Sequence, residues 1–396
     1  MRESSPVLRT KRRTNLLIAT LATVVALILV ETAIRVAHSL RNDIVRFASC
    51  EELSEPYDAD GQCYTSQVNF PPMEYHSYLG YVPKKSATGI GYTINSQHLR
   101  YDEDLSAEKP ANEMRIFFTG GSTAFGAGVK QDQLYTTQLE KTLSARFPGH
   151  QMRVVSAGVG AYGTVQERIL IENNLLDLKP DVVVMFSGWN DTYFGYAGKD
   201  IRQDQDYMNF RARLGEETKS GDLQTFSAPR FANYSLKLHY LVDRLIHRLT
   251  LDEKELSKDV AARSLPPDVV VQTLQRNVNI VVDIARRHGF DFVFYLQPTL
   301  YSTNKILTEW ERNILQRNSE SLIGFANYNR LLYVQLRSEL KEDAAREGYI
   351  FIDGDEAIAS EPRTLFVDHV HFGDRGNAVI ARHLFGSLEG IIRGRM

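Results

Sequence analysis

The chain has 396 residues, 43% hydrophobic and 24% charged, with 13 prolines and 26 glycines, a make-up that supplies a buried core and excludes collagen-like, low-complexity and wholly disordered chains. Its two cysteines exclude a disulfide-built scaffold and a four-thiolate zinc site. A formal net charge of −3 does not supply the basic surface that nucleic-acid binding requires.

The N-terminus departs from these averages. Arg9, Lys11, Arg12 and Arg13 stand directly before an uncharged run from Thr14 to Val30, 17 residues long, near the lower limit for crossing the hydrocarbon of a bilayer. This layout predicts a single N-terminal transmembrane helix whose basic flank stays cytoplasmic and which sends the rest of the chain across the membrane. A cleaved signal peptide shares the layout, but no pair of small residues suited to cleavage follows the run. Residues 1–38 are therefore taken as a cytoplasmic tail and anchor in a single-pass inner-membrane protein, with the remainder periplasmic or extracellular.

Residues 39–112 form a lead-in of short turns, among them Pro71-Pro72, Gly80-Tyr81 and Gly89 to Gly91. Cys50 and Cys63 fall on the exported side and are expected to pair as a disulfide, with two free thiols as the alternative.

From Met114 short apolar runs alternate with helical periodicity, the order that builds βαβ units and a parallel sheet. Strands are predicted at Arg115 to Thr119, Arg153 to Ala157, Asp181 to Ser187, Asp291 to Gln297 and Tyr349 to Ile352. Leu139, Leu143 and Phe147 mark a helix after the first strand, and Val165, Ile169 and Leu176 mark one after the second. A third runs from Val269 to Arg287 on Leu274, Val278, Val281 and Ile284 or Ala285, stopping at Gly289; a last one spans Asn377 to Ile392. The stretch from about 193 to 264 is too long for a connection and is read as an insertion carrying a helix near Leu236 to Leu249. The fold class is α/β: a three-layer α/β/α sandwich over 113–396 around a central, mostly parallel five-stranded sheet.

In open parallel sheets ligands gather beyond the carboxyl ends of the strands. Four loops there can do chemistry. Thr119-Gly120-Gly121-Ser122-Thr123 permits a tight turn that lifts Ser122 out of the backbone trace. Its glycines lack the spacing and the Lys of a phosphate loop. Ser156-Ala157-Gly158 ends the second strand, and Ser187-Gly188-Trp189-Asn190-Asp191 follows the third. Asp368-His369-Val370-His371 precedes the last helix; its two histidines lack a third strong metal ligand nearby. Each piece has a bland reading as a turn or cap. Their order and their strand-end placement together favour a catalytic one.

In these four blocks the chain resembles the SGNH hydrolase superfamily, the GDSL-type esterases and lipases. Block one is Gly120-Gly121-Ser122 in place of GDS, block two gives Gly158, block three Gly188-x-Asn190-Asp191, and block five Asp368-x-x-His371. INSQHLR (Ile94 to Arg100) and LQPTL (Leu296 to Leu300) are similar to a membrane-anchored bacterial branch. Ser156 stands where Asn is common, and Ala161 where Gly is common.

The resemblance implies Ser122 as nucleophile, His371 as base with His369 as rival, and Asp368 as the group orienting the base. It implies an oxyanion hole from the Ser122 and Gly158 amides and the Asn190 side chain. Asp191 is expected to serve structure. No metal or organic cofactor is required. The expected reaction is hydrolysis of an O-acyl, short-chain ester on a carbohydrate or cell-envelope polymer through an acyl-serine. An O-acyltransferase acting on a polysaccharide and a non-catalytic envelope scaffold are the alternatives.

Overall fold

In the computed structural model of the chain, residues 71–89, 91–198, 264–321 and 324–396 are described. The predicted anchor, Cys50, Cys63 and the predicted helix near Leu236 to Leu249 lie outside the described residues. Among the described residues no helix is long and apolar enough to cross a membrane.

The lead-in opens with an antiparallel hairpin, β1 (Met73–His76) and β2 (Gly80–Pro83), followed by a two-residue pair, β3 (Thr88–Gly89) and β4 (Tyr92–Thr93). The hairpin is not peripheral, because Leu79, Tyr81 and Val82 are buried in one of the two main cores. The alternating region then runs β5 (Glu113–Gly120), α1 (Ser122–Phe125), α2 (Tyr135–Arg146), β6 (Gln151–Ser156), α3 (Thr164–Leu170), β7 (Val182–Ser187) and α4 (Trp189–Tyr196). After the insertion come α5 (Pro267–His288), β8 (Asp291–Leu296), α6 (Glu309–Ser321), α7 (Phe325–Glu347), β9 (Ile350–Asp353), α8 (Asp355–Ile358) and α9 (Asp374–Arg395).

The five long strands form one wholly parallel sheet in the order β6-β5-β7-β8-β9. Side chains alternate across it, as a sheet covered on both faces requires. Ile116, Phe118, Val184 and Tyr295 face the core with Leu139 of α2 and Leu384 of α9. Phe117, Val183, Met185 and Phe294 face α3, α5 and α7. From β5 the chain steps to β6 on one side and then crosses to β7 on the other. The end of β5, where Ser122 sits, is therefore the topological switch point at which such sheets open a crevice.

All five predicted strands are present within two residues. Helix α5 buries Leu274, Val278, Val281 and Ala285 and stops at Gly289 in the left-handed conformation, with φ 74°. The helix marked by Val165, Ile169 and Leu176 is present as α3 and the turns that follow it, with Ile169 and Leu176 packed against the core. Val165, Ile169 and Leu176 are half-buried, while Gln166, Glu167, Leu170, Ile171 and Leu175 face in. Glu167 turns inward because two strand-end hydroxyls receive it, and the single π turn at Ile171–Leu175 then shifts the phase of the apolar face. The region placed in the insertion from about 193 belongs to α4 as far as Tyr196. Helices α6 and α7, between β8 and β9, are additional to the predicted elements.

Candidate active site

β5 ends in Gly120, whose φ of 147° is closed to other residues and whose added Cβ would lie 2.3 Å from the Phe186 carbonyl oxygen. The chain thus turns sharply at the end of the strand, and Ser122 becomes the first residue of the one-turn helix α1. At that position its backbone N–H has no intrahelical acceptor.

His371 arrives from the other end of the chain. A narrow loop, closed by a Phe366–Phe372 bridge and by Val367 N–H donating to the His371 carbonyl (3.0 Å), presents Asp368 to His371 as a turn. His371 Nε2 lies 2.7 Å from Ser122 Oγ, and His371 Nδ1 lies 2.6 Å from Asp368 Oδ2. The other Asp368 oxygen accepts from the N–H groups of Val370 (2.8 Å) and His371 (2.7 Å). Burial pushes the Asp368 pKa up, but the His371 hydrogen bond and charge, helped by His369, outweigh it and hold the carboxyl at about 2. An ionised Asp368 accepts only, so His371 Nδ1 must donate and Nε2 faces the serine as the acceptor.

His369 does not share this position. Its ring packs 4.9 Å from Trp189 and 6.0 Å from Tyr301, centroid to centroid. Burial lowers its pKa, against the pull of Asp368.

The other two blocks close on Ser122. An added Cβ on Gly158 would lie 2.2 Å from the backbone nitrogen of Phe125, so this loop packs directly on α1. Among the described residues no backbone carbonyl accepts from the Ser122 or Gly158 N–H. Asn190 Nδ2 donates to the Tyr162 carbonyl at 2.7 Å. That bond uses one of its two hydrogens and fixes the amide plane. A Cβ on Gly121 would stand 2.2 Å from the same nitrogen, so glycine in place of the usual aspartate leaves the room that Asn190 fills.

Several buried polar groups behind the site are partnered. Asp191, 2% exposed, accepts from Thr164 N–H (3.1 Å) and Thr164 Oγ1 (2.6 Å), joining α4 to α3. Ser156, in the place where asparagine is common, donates to the Ala124 carbonyl (2.9 Å) and holds α1. Gln297 Nε2 donates to Thr123 Oγ1 at 2.8 Å. The fully buried Glu311 accepts from Lys305 Nζ (2.7 Å) and from Leu365 N–H (3.0 Å), fastening the start of the His371 loop to α6. Ala161, where glycine is common, adopts φ 64°, a left-handed conformation that costs a non-glycine residue about 1–2 kcal/mol.

Glu167 accepts from Thr119 and Ser187, one residue before each of the glycine turns that lead to Ser122 and Asn190. Burial, reinforced by the charge of Asp191 and opposed by the Ser187 and Thr119 hydroxyls, pushes its pKa to about 8. The protonated form is thus favoured at pH 7, and in that form its O–H donates to one of these two hydroxyls. Sequence reasoning missed Glu167 because a carboxylate on a helix reads as a solvent face; the Thr and Ser at two strand ends are the only signal.

A cavity of about 720 Å³ lies alongside, between the loop after β8 and helices α6 and α7. Ser302, Asn304, Lys305, Arg330 and Arg337 line it, and Ser122, Asp368 and His371 do not. Among the described residues no group of three or more His, Cys, Asp or Glu side chains could hold a metal ion.

A family model described as the GDSL-like lipase/acylhydrolase family matches residues 118–379. No curated protein matches the chain. Among solved structures, the acetyl xylan esterase AlAXEase is similar at 16% identity and TM-score 0.39, covering 69% of this chain and 100% of its own. TesA is similar at 13% identity and TM-score 0.39, covering 70% and 99%. Axe2, an acetylxylan esterase from Geobacillus stearothermophilus, is similar at 15% identity and TM-score 0.36, covering 69% and 91%.

Two variants test this geometry. Gly121→Ala should displace Asn190 and lower kcat roughly a hundredfold, the usual cost of losing an oxyanion donor, while the thermal midpoint stays within a few degrees; unchanged kcat would refute the crowding. For Glu167, the folded state keeps a proton that the unfolded state releases between pH 4.5 and about 8, so stability falls as pH rises through that window. Glu167→Gln removes the difference. Its thermal midpoint should fall less than the wild type's between about pH 5 and about pH 9, and parallel curves would contradict the neutral acid.

Proposed function

The chain belongs to the GDSL-like lipase/acylhydrolase family, and from that membership we propose that it is a membrane-anchored serine esterase that removes short O-acyl groups from a carbohydrate or cell-envelope polymer. Its enzyme class is that of the SGNH-type carboxylic ester hydrolases. The observation that carries the catalytic reading is the 2.7 Å contact between Ser122 Oγ and His371 Nε2, backed by the 2.6 Å contact of His371 Nδ1 with Asp368.

A serine hydroxyl is a poor nucleophile until a base accepts its proton. In the proposed first step His371 Nε2 takes the Ser122 proton as Oγ bonds to the acyl carbon. Asp368, acceptor-only when ionised, holds the ring and offsets the charge of the imidazolium that forms. The carbonyl oxygen, now an oxyanion, receives the amides of Ser122 and Gly158 and the second amide hydrogen of Asn190. His371 then returns the proton to the leaving alkoxide, which departs as an alcohol and leaves acyl-Ser122. Water, deprotonated by the same imidazole, attacks this ester, releasing the acid and restoring the Ser122 hydroxyl. No step requires a metal or an organic cofactor.

One feature bears on the substrate and another on location. The wall of the nearby cavity mixes apolar residues such as Leu300, Leu307 and Val334 with hydroxyl, amide and basic side chains such as Ser302, Asn304 and Arg330, and a sugar polymer offers hydrogen-bonding partners for the latter. The uncharged run from Thr14 to Val30, with its basic flank, supports anchoring with the esterase domain on the exported side.

The full-length chain in detergent should hydrolyse nitrophenyl acetate faster than long-chain nitrophenyl esters, and Ser122→Ala should lose at least about a thousandfold in kcat. A preference for long chains would move the substrate to lipids, and an active Ser122→Ala would remove the mechanism. In cells the chain should stay with the membrane pellet after an alkaline carbonate wash; release into the supernatant would refute the anchor.

A further inference from the structure

Of the sequence motifs, INSQHLR lies outside the span matched by the family model, which begins at residue 118. Its last residue has an unusual environment. Arg100 is 1% exposed, and no carboxylate is among its hydrogen-bond partners. A buried cation without a counter-ion is costly unless every donor is satisfied, and here all five N–H groups are. Nη1 donates to the carbonyls of Phe125 and Gly126, both at 2.8 Å. Nη2 donates to those of Gly91 (2.8 Å) and Val129 (2.6 Å), and Nε to Gln131 Oε1 (3.0 Å). The guanidinium also lies 4.8 Å from the centroid of the Phe125 ring.

Phe125 is the last residue of α1 and Gly126 is its cap. Carbonyls at a helix end lack intrahelical partners and favour a cation there; that of Gly126 also accepts from the Val129 N–H (3.2 Å). A four-residue helix has too few bonds of its own to be stable, since nucleation alone is unfavourable. Arg100 supplies two of the outside bonds that hold it, beside those of Ser156 and Tyr135 to the Ala124 carbonyl. Burial lowers its pKa to about 10, so the guanidinium is still charged at neutral pH.

The rest of the motif delivers it. Asn95 Oδ1 accepts from the N–H groups of Gln97 and Leu99, both at 3.0 Å, closing a turn in which His98 takes φ 67°. Arg100 N–H then donates to the Ser156 carbonyl at 3.0 Å, as an antiparallel bridge on the edge of β6. The lead-in is thereby locked to the same strand that brings Gly158 to α1.

We propose that Arg100 is a positioning residue for Ser122: from outside the hydrolase core, it clamps the C-terminal carbonyls of the nucleophile's one-turn helix and so fixes Ser122 Oγ against His371. This rests on Ser122 as nucleophile, as argued above. Lysine keeps the charge but cannot bridge separate carbonyls with a planar fork, so Arg100→Lys loosens α1 without emptying the site.

Arg115 provides the control. It is equally buried, at the opposite end of β5, bonded to Glu113, the Leu178 carbonyl (2.7 Å) and the Ser106 carbonyl (2.8 Å). Full-length wild type, Arg100→Lys, Arg115→Lys and Ser122→Ala are compared on nitrophenyl acetate well below their thermal midpoints. Arg100→Lys should lose roughly tenfold or more in kcat, because a small misplacement of a reacting group is enough for that, with KM within about twofold. Arg115→Lys should lose stability and keep kcat within about twofold.

Equal kcat in Arg100→Lys and Arg115→Lys, with Ser122→Ala inactive, would overturn the proposal alone. An active Ser122→Ala would instead overturn the reading of the site. If Arg100→Lys does not fold, Gln131→Ala, which releases only Nε, should lower kcat about threefold; unchanged kcat there would also overturn the proposal.

Discussion

The structure turns on bringing a hydroxyl and an imidazole, 249 residues apart in sequence, to 2.7 Å. Neither group can arrange this alone. Ser122 sits on a helix of one turn, and His371 on a loop whose own backbone bonds are few. The sheet solves the larger part of the problem. With β5 flanked by β6 and β7, the loops after all three strands open at the same edge, and the glycines at 120 and 158 let neighbouring segments approach at backbone distance.

The smaller part, a matter of tenths of an ångström, falls to buried polar groups. Arg100, Ser156 and Tyr135 bond the carbonyls at the end of α1. Glu311, with Lys305, holds the backbone that leads into Asp368. Glu167 spans the ends of β5 and β7. Burying such groups destabilises a fold unless each is satisfied, so their concentration behind one edge of the sheet is a cost borne where geometry matters most. A polar shell of this kind has fewer alternative packings than an apolar one, because an unsatisfied donor or acceptor penalises each departure.

The parts legible in the sequence are those encoded locally. A run such as Asp181 to Ser187 followed by glycine marks a buried strand and its turn, and α5 announces both its face and its stop at Gly289. Ser122, Gly158, Asn190, Asp368 and His371 were each identifiable as strand-end or loop residues of the right chemical type, and the structure brings them together. What sequence could not show depends on partners far away. Glu167 gave no sign of burial, because its partners Thr119 and Ser187 lie on two other strands. Arg100 had no visible reason to be buried until its five acceptors, spread from Gly91 to Gln131, converged. Helices α6 and α7 were missed because their faces mix charge with apolar positions, and the buried Lys305 and Glu311 read as solvent-exposed.

The central claim is that His371 makes the Ser122 hydroxyl reactive. Treating the full-length chain with a serine-directed phosphonate and mapping the adduct by peptide mass spectrometry tests it most directly. The account predicts one adduct, on the Ser122 peptide, that is lost in His371→Ala but retained in His369→Ala. An adduct on another serine, or labelling of Ser122 that does not depend on His371, would contradict it.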